Sequence, residues 1–177
     1  MRIRPSGLAL VVLLVPAVVT ADDHRADRFA GFTRSGGGSS LFGIHVTDAI
    51  TIPNMKSKDL ALLADLSVHF GSHNENDMTR VPYLVGLRWT FAKDNLPPEQ
   101  KPKFLPFVHG LVGGVYTNNG AESGNSFAGV IGAGFDYVPR RGQARREGWA
   151  VRVQFDYIGS GDDFTRFSTG LVYRFKP

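Results

Sequence analysis

From Leu60 to Phe70 the chain alternates with a period of two. Leu60, Leu62, Ala64, Leu66, Val68 and Phe70 share one face, and Asp65, Ser67 and His69 fall on the other. A period of two is that of a β-strand with one apolar face. The same design recurs three times. Val81, Tyr83, Val85, Leu87, Trp89 and Phe91 stand against Gly86, Arg88 and Thr90. Trp149, Val151, Val153, Phe155 and Tyr157 stand against Arg152, Gln154 and Asp156. Phe167, Thr169, Leu171, Tyr173 and Phe175 stand against Arg166, Ser168, Gly170 and Arg174.

Other segments fit the pattern less cleanly. Phe127 to Val138 sets Phe127, Ile131, Ala133, Phe135 and Tyr137 against Asp136 and several glycines, whereas Phe104 to Thr117 is apolar on both faces, which leaves its parity open. Phe42 to Ile52 alternates except at Asp48, which falls on the apolar face and is read as a bulge or an early strand end. A shorter strand at Arg28 to Arg34 brings the count to eight. Turn-forming stretches separate the strands: Gly36 to Ser40, Pro53-Asn54, Gly71 to Asp77, Pro97-Pro98, Asn118 to Gly124, Pro139 to Gly148 and Gly159 to Asp163. The expected fold is all-β, an eight-stranded antiparallel up-and-down barrel.

The sense of the two faces decides between a soluble barrel, apolar inside, and a transmembrane barrel, apolar outside. With the strands alternating up and down, one end collects Trp89, Phe91, Phe104, Tyr137, Trp149, Tyr173 and Phe175. The other collects Phe70, Tyr83, Tyr116, Phe127, Tyr157 and Phe164. Two aromatic girdles edging an apolar band are what a bilayer rewards. Asp65, Arg88, His109, Asp136, Arg152, Asp156 and Arg174 belong to the opposite face, where they are expected to form a polar network filling a narrow lumen.

Composition sharpens this reading. The 177 residues suit a single domain, the hydrophobic fraction of 42% argues against general disorder, and without cysteine neither a disulfide nor a thiolate metal site is possible. Arg2 and Arg4, the apolar run Leu8 to Val19 and the small residues before Asp22 read as a cleaved signal peptide over residues 1–21, leaving a barrel domain over 22–177. Pro16 interrupts the apolar run, which is also shorter than a membrane helix needs. Loss of Arg2 and Arg4 takes 20 basic residues to 18 against 16 acidic ones, so little positive charge remains to attract nucleic acid. Supposing the N-terminus to be periplasmic, the basic residues gather instead in turns at that end: Lys56 and Lys58, then Lys93, Lys101 and Lys103, then Arg140, Arg141, Arg145 and Arg146. They read as solvated turns, since no aromatic platform accompanies them.

The C-terminal stretch carries the most specific motif. Ser168, Gly170, Tyr173 and Phe175 follow in order the polar, glycine, aromatic, aromatic spacing of the outer-membrane assembly signal, with Lys176 and Pro177 trailing after it. On this motif and the strand pattern from about Arg28 to Phe175, the chain resembles the small OmpA-like eight-stranded barrels of the porin-family outer-membrane proteins of Gram-negative bacteria. The resemblance implies bacterial outer-membrane localisation, contact with outer-membrane lipid and lipopolysaccharide, recognition by the barrel assembly machinery during biogenesis, and a monomer. The family's outer loops are usually longer than its periplasmic turns, and here they are not.

A catalytic reading rests on the stretch VHFGSHNEND, where His69, Ser72, His73, Asn74 and Glu75 supply imidazole, hydroxyl and carboxylate. The residues sit at a strand end and in a loop of turn formers, so a hydrophilic loop is the simpler reading. They also do not reproduce the pattern of the lipid A deacylases, a His and Ser two apart with an Asn within a strand. His69 and His73 lie four apart along a strand, too far for one metal ion. His45 and His109 are single lumen candidates without identifiable partners, and the glycines Gly110, Gly113, Gly114, Gly129, Gly132 and Gly134 suit strand curvature. The function expected is non-enzymatic, envelope-stabilising or surface-interacting, with no catalytic residue, metal or cofactor. The alternatives are a small-solute conduit, a lipid A-modifying enzyme, and a soluble secreted barrel that binds an apolar ligand.

Overall fold

Eight strands account for nearly all of the chain described by a computed structural model, which covers residues 26–37, 40–52, 60–73, 76–91, 103–120, 122–139 and 148–175. In chain order they are β1 (Ala26–Gly36), β2 (Leu41–Thr51), β3 (Leu60–His73), β4 (Asn76–Thr90), β5 (Phe104–Asn118), β6 (Ser123–Tyr137), β7 (Gly148–Gly159) and β8 (Phe164–Phe175). Each pairs antiparallel with its sequence neighbours, and β8 closes onto β1. The expected signal peptide, the trailing Lys176-Pro177 and most of the basic turn residues, including Lys56, Lys93 and Arg145, lie outside the described residues.

Closure staggers the strands. Following register partners round the barrel from Ala26 through Ile50, Leu62, Leu87, Gly110, Ile131, Tyr157 and Thr165 returns the track to β1 at Gly36, at the opposite end of that strand. Such a stagger tilts the strands against the barrel axis, and eight strands leave an interior only wide enough for side chains. Among the described residues the barrel is closed and no strand is left as an open edge, the condition for a sheet to survive in hydrocarbon. The connections remote from the termini, 37–40, 74–75, 119–122 and 160–163, are shorter than 52–59, 91–103 and 138–147 at the other end.

The apolar face points outward. Phe32, Ile44, Leu62, Val85, Val112, Ile131 and Leu171 are exposed and form a belt around the wall. On the termini side the belt is edged by Trp89, Phe91, Phe104, Trp149 and Tyr173. Trp149 and Tyr173 meet with ring centroids 4.8 Å apart, and Phe104 and Tyr137 at 5.1 Å. On the remote side Phe42, Phe70, Tyr83, Phe127 and Tyr157 form the second edge. Phe164 does not belong to it. Phe164 shares its parity with Arg166 and Ser168, so it turns into the barrel and is buried.

Two open points of the pattern resolve here. In β5 the inward set is Leu105, Phe107, His109, Leu111 and Val115, while Phe104, Val108 and Val112 face out; the strand looks uniformly apolar because it supplies much of the apolar part of the interior. Asp48 marks neither a bulge nor a strand end, since the β1–β2 register runs through it without a break and β2 continues to Thr51. It faces outward opposite Arg28, whose Nε donates to its carboxylate at 2.7 Å, and Arg28 in turn sits opposite Tyr173 in the aromatic edge. The pair thus lies at the border of the apolar belt, where water and headgroups can solvate it.

Candidate functional site

Alternation sends the polar side chains of all eight strands into one narrow space, where they sort into two tiers. The tier nearer the termini joins Asp27, Arg88, Asp136, Arg152 and Arg174. Arg152 donates from Nε to Asp136 at 2.7 Å and from Nη2 to the other oxygen at 3.0 Å, and reaches Asp27 at 3.5 Å and Thr47 at 3.4 Å. Arg88 grips both oxygens of Asp27, and Arg174 donates to Asp136. The second tier centres on Arg166, which donates to Asp156 at 2.7 Å, to both oxygens of Asp65 at 2.8 Å and to Ser67 at 2.9 Å. His45 adds a 2.7 Å contact to Asp65, His109 a 2.8 Å contact to Asp156, and Gln154 donates to Asp156.

Taken together, the two tiers balance their charges. Asp27, Asp65, Asp136 and Asp156 face Arg88, Arg152, Arg166 and Arg174, and the forked guanidinium–carboxylate geometry meets several donors and acceptors at once. In a space without bulk water this matching is what makes the charges tolerable, because an unpaired one would bear its full desolvation cost. Phe29 and Phe107 belong to the same interior. The Arg152 guanidinium lies 4.9 Å from the Phe107 centroid and 5.4 Å from that of Phe29, His109 stacks on Phe107, and His45 meets Phe29 edge-on. Gly132 makes room for the second tier, since a Cβ there would sit 2.2 Å from Asp156 Oδ1 and 2.3 Å from His109 Nε2, two atoms locked to each other.

All seven lumen positions named from the pattern lie in these tiers. Asp27 is absent from the lumen positions expected from the sequence, because the pattern starts the first strand at Arg28 whereas the strand begins at Ala26; alternation with Phe29 and Gly31 is the signal that points to it. His45 and His109 gain their partners from strands far away in sequence, which no local pattern supplies. His69 and Ser72 are not brought together: His69 points inward, fully buried, against Thr33, whereas Ser72 is exposed on the opposite face. The His73 side chain and residues 74–75 lie outside the described residues.

A hydroxyl, an imidazole and a carboxylate do line up elsewhere. Ser168 Oγ lies 2.9 Å from His45 Nδ1, whose Nε2 lies 2.7 Å from Asp65. Hydrogen-bond reach is the first requirement of a nucleophile and its base, but the nucleophile must also meet a substrate. Ser168 and His45 are both 0% exposed, the Ser168 hydroxyl has a competing acceptor in Thr33 at 3.1 Å, and Asp65 is already held by Arg166 through both oxygens. The cluster is arranged as a structural link between β1, β2, β3 and β8.

The C-terminal motif residues divide between the two faces. Ser168 joins the lumen network, while Tyr173 and Phe175 stack on the outer wall with centroids 5.9 Å apart. Gly170 lies opposite Gly31 across the closing seam, and a Cβ at residue 170 would stand 2.3 Å from the Ala30 carbonyl oxygen. The position tolerates only glycine at this separation of the two strands.

No protein-family model matches the chain, and no curated protein matches it. Solved structures do. Neisserial surface protein A superposes with a TM-score of 0.54 at 13% identity, over 85% of this chain and 96% of that one. Ail, the attachment invasion locus protein of Yersinia pestis, gives 0.51 at 12% identity, over 86% and 97%. The N-terminal β-barrel domain of Pseudomonas aeruginosa OprF gives 0.51 at 14%, over 85% and 97%. At these identities the likeness is one of fold, and it agrees with the closed register, the outward apolar belt and the ion-paired interior: the chain has the eight-stranded transmembrane fold of the small OmpA-like outer-membrane barrels.

Proposed function

We propose that the protein is a non-enzymatic, monomeric barrel of the bacterial outer membrane that stabilises the envelope or presents its short hairpin loops to partners. The observation that carries this reading is the combination of an apolar outer belt with an interior occupied by matched ion pairs and the rings of Phe29 and Phe107. A filled interior leaves side chains where a conduit needs water, and the buried Ser168–His45–Asp65 link offers a substrate no approach. The surface role draws support from the similar structures, which include an attachment invasion locus protein and a surface protein.

Residues 1–21 would direct export, and Ser168, Gly170, Tyr173 and Phe175 would be read by the barrel assembly machinery. Outer-membrane lipid and lipopolysaccharide would then surround the belt, with the termini in the periplasm. The test is a planar-bilayer recording of the refolded protein together with mass spectrometry of lipid A from cells that express it. The expected result is no steady conductance and an unaltered lipid A profile; a reproducible open channel or a modified lipid A would overturn the proposal.

A further inference from the structure

At the barrel end remote from the termini, a cavity of about 270 Å³ opens between the β5–β6 and β7–β8 hairpins. Its wall is polar, supplied by Thr117, Asn125, Ser126, Ser160, Glu122 and Asp162 among others. Among the described residues, Arg80 is the one buried residue that lines it, at 3% exposure. This arginine stands apart from the two ion-paired tiers. Its guanidinium lies 4.2 Å from the centroid of the buried Phe164 ring, and its Nη1 is enclosed without any hydrogen-bond partner among the described residues. A buried guanidinium donor normally finds an acceptor, because leaving it unmet forfeits hydration without return.

Glu122 and Asp162 line the same cavity, and both residues are exposed. A buried guanidinium with one unpaired donor and two acidic residues at the rim, of which Asp162 already attracts it, form a dipolar pocket. A simple anion would satisfy Arg80 but face the carboxylates; a simple cation would meet the reverse conflict. A molecule that carries both charges meets neither. We propose that this pocket binds a small zwitterion, with its phosphate or carboxylate oxygen on Arg80, its ammonium group toward Glu122 and Asp162, and its remaining polar atoms on the Ser126, Ser160 and Thr117 hydroxyls. The inference needs only the geometry of this end of the barrel and stands independently of the envelope role.

The probe is phosphoethanolamine, with inorganic phosphate and ethanolamine as its two halves. Each is titrated into the full-length barrel in non-ionic maltoside micelles and followed by amide and arginine side-chain NMR shifts. Saturable shifts at Arg80, Gly124, Ser160 and Gly161 are expected, with phosphoethanolamine at least tenfold tighter than either half. Arg80→Gln should weaken it at least tenfold, and so should the exposed-rim double variant Glu122→Gln with Asp162→Asn, which keeps the test valid if Arg80→Gln does not fold. Phosphate binding as tightly as phosphoethanolamine, unchanged binding in a folded Arg80→Gln barrel, or no saturable shift would overturn the proposal. A second arm separates the sources of the zwitterion: shifts reproduced in nanodiscs containing phosphatidylethanolamine, but not in phosphatidylglycerol alone, assign a lipid headgroup, whereas shifts only with the added probe assign a free solute.

Discussion

Arg152 touches Asp136 through two nitrogens, reaches Asp27 and Thr47, and lies over two phenyl rings, so its removal strands more charge than most single changes. Arg152→Ala should lose on the order of 3 to 5 kcal/mol of folding stability by leaving Asp136 and Asp27 short of a counter-charge. The loss is read as a lower urea midpoint of the folded, fast-migrating form on unheated gels; an unchanged midpoint would contradict the interior's structural role. Gly132→Val should act in the same direction, because its side chain must displace the His109–Asp156 pair. At the remote loops, Asp163 accepts from the Tyr157 hydroxyl at 2.7 Å and from the Ser160 amide at 3.1 Å, and these bonds hold its carboxyl below the usual range. A depressed folded pKa means the ordering is present above the unfolded value and lost as pH falls through the folded one. The Ser160 amide should therefore lose its protection, measured against the intrinsic exchange rate at each pH, below the ordinary carboxylate range, and Asp163→Asn should remove that dependence. At this scale alternation gathers the charged residues on one face but does not give their partners, because Asp65 and Arg166 meet across a barrel that only closure creates.

The strand that finishes the chain shows how much a single element must reconcile. In β8 the outward positions Phe167, Leu171 and Tyr173 continue the belt, and the inward positions Arg166 and Ser168 complete the second tier. Gly170 lets β1 approach, and the same alternation puts Phe164 inside, against the reading that placed it in an aromatic girdle. Gly170→Val should block closure at the β1–β8 seam, since its Cβ meets backbone rather than a movable side chain. The measurable outcome is a several-fold lower yield of the heat-modifiable folded form in vitro, where no assembly machinery acts; undiminished refolding would leave the glycine with a recognition role alone. Strands with one polar face, such as β3 and β7, were legible from alternation. The face of β5 was not, because Leu105, Phe107 and Leu111 are apolar residues pointing into a mostly polar interior. Asp48 was illegible for a different reason, as its partner Arg28 lies on another strand.

For the molecule as a whole, an even number of strands, a closed register and an outward apolar belt form one connected argument. Closure removes the sheet edges, the belt matches hydrocarbon, and the matched ion pairs allow the enclosed face to be polar. The architecture could be read from the sequence because a period of two, clean in four segments and rougher in the others, recurs between turn signals, whereas the site could not, because its contacts are long-range. The central claim is that the belt faces lipid, and fractionation of expressing cells followed by gels of heated and unheated samples tests it most directly. The account predicts recovery with the outer membrane, resistance to extraction without detergent, and faster migration when unheated. A protein that stays soluble without detergent and shows no heat-dependent shift would contradict it.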